Sequence, residues 1–152
     1  MRLLLLLPLC MTLLSAADDR PNFSGTWKMD GDRSDFGQVP KPTNFVRKVD
    51  HADPKLHVTT TFSTPNGDAV TDVQYTTDGK EATNTVRGGE WKSTTVWDGT
   101  SIEVASKRML NGAEITTTER WTMTGKGKIL TVVNKTATPQ GNITFTVVMN
   151  KE

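Results

Sequence analysis

Six dipeptides ending in glycine, Asn66-Gly67, Asp78-Gly79, Gly88-Gly89, Asp98-Gly99, Asn111-Gly112 and Gln140-Gly141, divide the second half of the chain into runs rich in Thr and Val. Such dipeptides suit the two-residue turns of β-hairpins, because a type I′ turn needs φ > 0 at both central residues and its twist matches that of the strands it joins. The chain therefore reads as a meander. Side chains alternate across a strand with period two, so each tight turn hands the parity of one strand to the next. Residues sharing a face can then be named from the sequence.

Thr, Val, Ile and aromatic residues recur in short runs bounded by turn signals, and no segment keeps a helical period. These runs predict ten strands, at roughly 24–29, 44–51, 56–63, 69–77, 80–87, 90–97, 100–110, 113–123, 129–138 and 142–150. The connection 30–43, with Gly31, Gly37, Pro40 and Pro42, breaks regular structure. No linker divides the chain, so residues 18–152 are expected to form one domain.

Turns centred on the dipeptides would pair Val58 with Tyr75, Tyr75 with Ala82, Val86 with Trp91, Thr95 with Ile102, Ile102 with Trp121 and Val132 with Met149. Four-residue loops at 52–55 and 125–128 would pair His51 with Leu56 and Met123 with Leu130. The apolar parity survives every step, and nearly all large apolar side chains of the meander share one face. The other face is dominated by Thr, Lys, Glu, Asp and Gln and includes a cross-strand pair, Glu103 with Arg120. A ten-stranded sheet with one wet face curls until its apolar side becomes an interior. The expected fold is all-β, an antiparallel up-and-down β-barrel without substantial helix, an architecture that often encloses a ligand cavity.

The same parity places Arg47, Thr60, Asn84, Ser93, Thr95, Ser106, Arg108, Thr117, Glu119 and Asn134 inside. Interior charge is costly unless it is paired, hydrated or met by a ligand. Two arginines against one glutamate suggest that Arg47 and Arg108, with Glu119 beside them, hold the acidic head of an amphipathic ligand. Trp91, Trp97, Trp121, Tyr75 and Phe62 would line the apolar part. An internal Arg–Glu bridge, or an arginine with its head in water at the barrel mouth, fits the same pattern. The tryptophans fit plain core as well.

Nothing in the pattern favours catalysis. The single cysteine, Cys10, lies in the leader described below, and His51 and His57 flank a turn on opposite faces. The only inward acid or base is Glu119 or His51. Beside Asp50 or Asp53 the histidines lack a third metal ligand. The run Asp30-Gly31-Asp32-Arg33-Ser34-Asp35 resembles a calcium loop, yet it lacks the glycine at the sixth position and has Lys41 where the distal carboxylate belongs. No enzyme, metal or cofactor is expected.

Met1-Arg2, the apolar run to Leu14 and Ser15-Ala16-Ala17 predict a secretory signal peptide at 1–17, cut before Asp18. The run is shorter than the roughly 20 residues a membrane anchor needs and is broken by Pro8 and Thr12. With Arg2 removed, 18 basic residues against 17 acidic ones become a near-neutral balance. With no basic run, nucleic acid is not an expected partner. An exported domain without a disulfide must rely on its core, which leans towards a periplasmic or extracellular monomer of bacterial origin.

Asn22-Phe23-Ser24-Gly25-Thr26-Trp27 carries a Gly-x-Trp pattern on the first strand and resembles lipocalins and related calycins. Residues 23–35 look like the opening of bacterial secreted proteins of unknown function with a lipocalin-like barrel. The resemblance implies that Gly25 and Trp27 are fold residues, with Trp27 at the closed end meeting an arginine of a late strand, for which Arg108 is a candidate. The ten strands resemble the fatty-acid-binding branch, but segment 30–43 is too rich in Gly and Pro for that branch's helical lid. The last strand also lacks its Arg-x-Tyr pattern. The expected function is noncatalytic binding of a small apolar or amphipathic molecule. The alternative is a protein-interaction or structural module of the cell envelope with a filled core.

Overall fold

The computed structural model describes residues 19–152 apart from Asn66. The leader predicted at 1–17, Asp18 after it, and Asn66 of the Asn66-Gly67 turn lie outside the described residues. Ten strands are present: β1 (Gly25–Met29), β2 (Asn44–Ala52), β3 (Lys55–Thr64), β4 (Gly67–Thr76), β5 (Asp78–Val86), β6 (Gly89–Asp98), β7 (Ser101–Leu110), β8 (Ala113–Thr124), β9 (Ile129–Thr138) and β10 (Gly141–Lys151). They form one antiparallel sheet in the order β4-β3-β2-β1-β10-β9-β8-β7-β6-β5. The sheet curls into a nearly closed barrel whose two end strands, β4 and β5, share no backbone ladder.

The predicted sidedness holds, while four of the eight predicted registers move by two residues. Asn111-Gly112 forms the expected turn, both residues at positive φ (51° and 79°), and Ile102 pairs with Trp121. Elsewhere the turn sits one residue away from the dipeptide. Thr64 pairs with Gly67 and Thr138 with Gly141, so Pro65 and Pro139 lead their turns. A proline has its φ preset for a turn and no N–H to give a ladder. Consequently Val58 pairs with Val73 instead of Tyr75, and Val132 with Val147 instead of Met149.

Between β5 and β6 the turn is Arg87-Gly88, both at positive φ (51° and 77°), which sets Trp91 opposite Asn84 instead of Val86. Between β6 and β7, Gly99 leads at φ 61° and Ile102 pairs with Trp97 instead of Thr95. Moving a turn by one residue moves every partner by two, so each side chain keeps its face. The expected pairs His51 with Leu56 and Met123 with Leu130 form, the first across a two-residue turn, Asp53-Pro54, instead of a four-residue loop at 52–55, the second across the loop 125–128.

One predicted pairing is absent. Tyr75 does not pair with Ala82, because Asp78 already belongs to β5, where it opposes Val96 across a bulge that ends at Glu81. The seam between β4 and β5 is bridged by a side chain. Asn84 Oδ1 accepts the Gln74 N–H (2.8 Å) and its Nδ2 donates to the Gln74 carbonyl (2.9 Å), standing in for one rung of a ladder.

One end of the barrel is plugged. Phe23 and Trp27 are fully buried, and the Phe23 ring lies 5.9–6.0 Å from those of His51, Trp97 and Trp121. Trp27 Nε1 donates to the Phe23 carbonyl at 2.9 Å, tying the segment before β1 to the strand. The cation over Trp27 is Lys151 of β10, its Nζ 5.2 Å from the ring centroid. The candidate Arg108 lies over Trp91 instead.

Gly25 makes the Lys151 contact possible. At φ 144° it adopts a backbone that other residues rarely take, and a Cβ there would stand 2.5 Å from Lys151 Cε. Segment 30–43 is irregular, as its Gly and Pro content predicts, but it is anchored. Asp35 bridges Thr146 of β10, and Phe36 is buried with its ring stacked on Phe145 at 5.8 Å.

Candidate functional site

Above the plug the barrel is hollow, with a cavity of about 790 Å³. Its walls are residues of β2, β3, β4, β5, β6, β8, β9 and β10. Phe36, Val39, Pro40 and Pro42 of the strap 30–43 close one side. Its rim includes Asp68, next to the β3–β4 turn, and Arg87 of the β5–β6 turn.

Six of the eight residues expected around a ligand line this space: Arg47, Glu119, Trp91, Trp121, Tyr75 and Phe62. The other two lie elsewhere. Trp97 belongs to the plug, where its Nε1 donates to Asp53 Oδ1 at 2.9 Å and its ring is 5.7 Å from that of His51. Arg108 is not in the lining, its guanidinium sits 4.8 Å from the Trp91 centroid, and its Nε is buried without a hydrogen-bond partner among the described residues. Arg47 and Arg108 therefore do not converge on one point.

Arg47 is instead held by the protein. Its Nη1 donates to Glu119 Oε2 at 3.3 Å, its Nε to Thr60 Oγ1 at 3.2 Å, and its guanidinium lies 4.7 Å from the Trp121 centroid. Glu119 Oε2 also accepts from Trp121 Nε1 at 2.9 Å, and Oε1 from Asn134 Nδ2 at 3.4 Å. Asn134 in turn accepts from Thr136 Oγ1 at 3.0 Å. Arg47 and Glu119 thus form an internal bridge. Burial pushes the Tyr75 phenol upward, with the Glu119 carboxylate adding to the effect, so the phenol stays protonated near neutral pH.

The histidines are separated by the sheet. His51 is buried in the plug, with Nδ1 accepting the Phe23 N–H at 3.2 Å and Nε2 3.6 Å from Asp53 Oδ1. His57 faces outward and pairs with Asp72 at 2.9 Å. In the calcium-like run, the Asp30 carboxylate is occupied by the N–H groups of Asp32 and Arg33 and by Arg33 Nε at 2.7 Å. Among the described residues no three His, Cys, Asp or Glu side chains converge as metal ligands do, and no helix is long and apolar enough to cross a membrane.

Sequence parity missed the strap residues that complete the wall, above all Phe36. Its one signal was an aromatic side chain inside a Gly- and Pro-rich connection.

No protein-family model matches the chain, and no curated protein matches it in sequence. Solved structures share its fold. A secretory abundant heat soluble protein from Ramazzottius varieornatus superimposes with a TM-score of 0.62 at 16% identity, covering 90% of this chain and 100% of that one. The wild-type fluorescent protein UnaG gives 0.61 at 19% identity, covering 86% and 97%. The zebrafish ileal bile acid-binding protein, solved in complex with cholic acid, gives 0.57 at 16%, covering 86% and 98%. At such identities the likeness is one of fold: a nearly closed antiparallel β-barrel of ten strands.

Proposed function

We propose that this protein is an exported, noncatalytic carrier or scavenger that holds a small apolar or amphipathic molecule inside its barrel. The single observation carrying this reading is the hollow interior of about 790 Å³, a size that falls in the range of small-molecule sites. Its walls are mostly valines and aromatic rings, with a few polar groups gathered around Arg47 and Glu119. Such a lining gains free energy by removing apolar surface from water and uses the polar cluster to orient the guest. The cholic acid complex of the zebrafish neighbour supports the idea that this type of barrel can be a container. Export rests on the leader-like residues 1–17, and the periplasm or the medium is the destination proposed. A filled core, which the envelope-module alternative supposes, does not describe this interior.

Trp91 and Trp121 report on the site directly, since both line it. Titrating the purified protein with a panel of long-chain alcohols, acids and sterols is expected to give saturable quenching of tryptophan fluorescence. Native mass spectrometry of protein taken from its own source should show a bound molecule. Unsaturable quenching throughout, together with an empty native spectrum, would refute the proposal.

A further inference from the structure

We infer, resting on the reading of the cavity as a binding site, that it selects uncharged amphipaths with a hydroxyl, carbonyl or amide head over carboxylates. The charged side chains in the lining are Arg47, Arg87, Asp68 and Glu119, two of each sign. The deep pair is joined: Arg47 donates to Glu119 at 3.3 Å. The rim arginine lies over an aromatic ring, its guanidinium 5.1 Å from the Phe62 centroid. Arg108, which would tip the balance to positive, is outside the lining.

A carboxylate head seeking Arg47 meets the carboxylate already there. Two like charges on one guanidinium in a poorly solvated interior oppose each other, and displacing Glu119 would strand it without its counter-ion. Glu119 is further fixed by Trp121 Nε1 at 2.9 Å, so it does not simply swing away. A neutral head has no such conflict. A ligand hydroxyl can donate to Glu119 Oε1, whose contact with Asn134 is long at 3.4 Å, and can accept from the Tyr75 phenol or a remaining Arg47 N–H. Aliphatic walls at Val58, Val73, Val132 and Val147 take the chain.

The test compares tetradecanol with myristate, which share an alkyl chain and differ in head charge at pH 8. Tryptophan quenching or calorimetry on the purified protein should show the alcohol bound at least tenfold more tightly. Glu119→Gln, which keeps the acceptor and removes the charge, should shift the ratio at least tenfold towards myristate because Arg47 is released. Myristate binding as tightly as tetradecanol, or more tightly, in the unmodified protein overturns the inference while leaving the cavity a binding site. Neither probe binding overturns both. The comparison on the unmodified protein decides the matter even if the Glu119 variant fails to fold.

Discussion

At the scale of single residues, Gly25 sets the packing at the closed end of the barrel. Its missing Cβ lets Lys151 cross the backbone and lie over Trp27, and its φ of 144° is costly for any residue with a side chain. Gly25→Ala is expected to lower stability by about 2 kcal/mol, combining backbone strain with loss of a cation–π contact. Urea unfolding followed by fluorescence would measure it. An unchanged midpoint would show that Lys151 and the strand relax freely.

Asp53 is tied into the same closed end. Its carboxylate accepts from Thr77 Oγ1 and Trp97 Nε1 and faces His51, and these bonds, Thr77 first, hold its pKa below the ordinary range despite opposition from burial. A depressed folded pKa means the contribution is whole above about pH 4 and is lost as pH falls through the lower folded value. Asp53→Asn keeps the acceptor oxygen but cannot titrate. The variant should therefore lose less stability than the unmodified protein between pH 6 and pH 3. With 41% of the Asp53 side chain exposed, the difference will be modest.

At the scale of elements, the weak place is the seam between β4 and β5, where one asparagine replaces a ladder. Asn84→Ala removes both bonds to Gln74, and a cost of about 1–2 kcal/mol is expected. Hydrogen exchange gives the sharper measurement. The Gln74 amide should exchange much faster in the variant, while amides in the long β8–β9 ladder stay as they were; a uniform change along the chain would mean that Asn84 supports the whole barrel instead of the seam.

Element existence was readable because each strand is bounded by Gly, Pro or Asn, and all ten appear close to where their composition puts them. Turn placement was less readable, since Pro65, Pro139 and Arg87-Gly88 compete with the glycine dipeptides for the central positions. The error was harmless to sidedness, because partners shift by an even number of residues. The missing β4–β5 ladder was not readable at all. A tight turn looks the same in sequence whether its flanking strands pair or diverge.

At the scale of the whole molecule, the container reading makes a thermodynamic claim. A guest that binds only the folded barrel stabilises it by mass action, by about 2.7 kcal/mol at a free concentration 100 times its Kd. The unfolding midpoint should rise with the logarithm of tetradecanol concentration. A midpoint indifferent to every member of the ligand panel would count against a folded-state site.

The sequence by itself determined which face of each strand turns inward, because that depends only on a period of two carried through the turns. It therefore placed the aromatic residues, Arg47, Arg108 and Glu119 on one side of one sheet. It could not determine their height along the barrel axis or their neighbours across the interior. Those depend on strand tilt and on how far the sheet curls before β4 meets β5. Only the tertiary structure sends Trp97 into the plug with Phe23 and Trp91 into the cavity, though both are inward residues of β6. Only curvature brings Arg47 of β2 to Glu119 of β8, strands separated by β1, β10 and β9 in the sheet. That meeting pairs Arg47 with Glu119, and with Arg108 outside the lining the excess of positive charge expected on the inward face does not gather in the cavity.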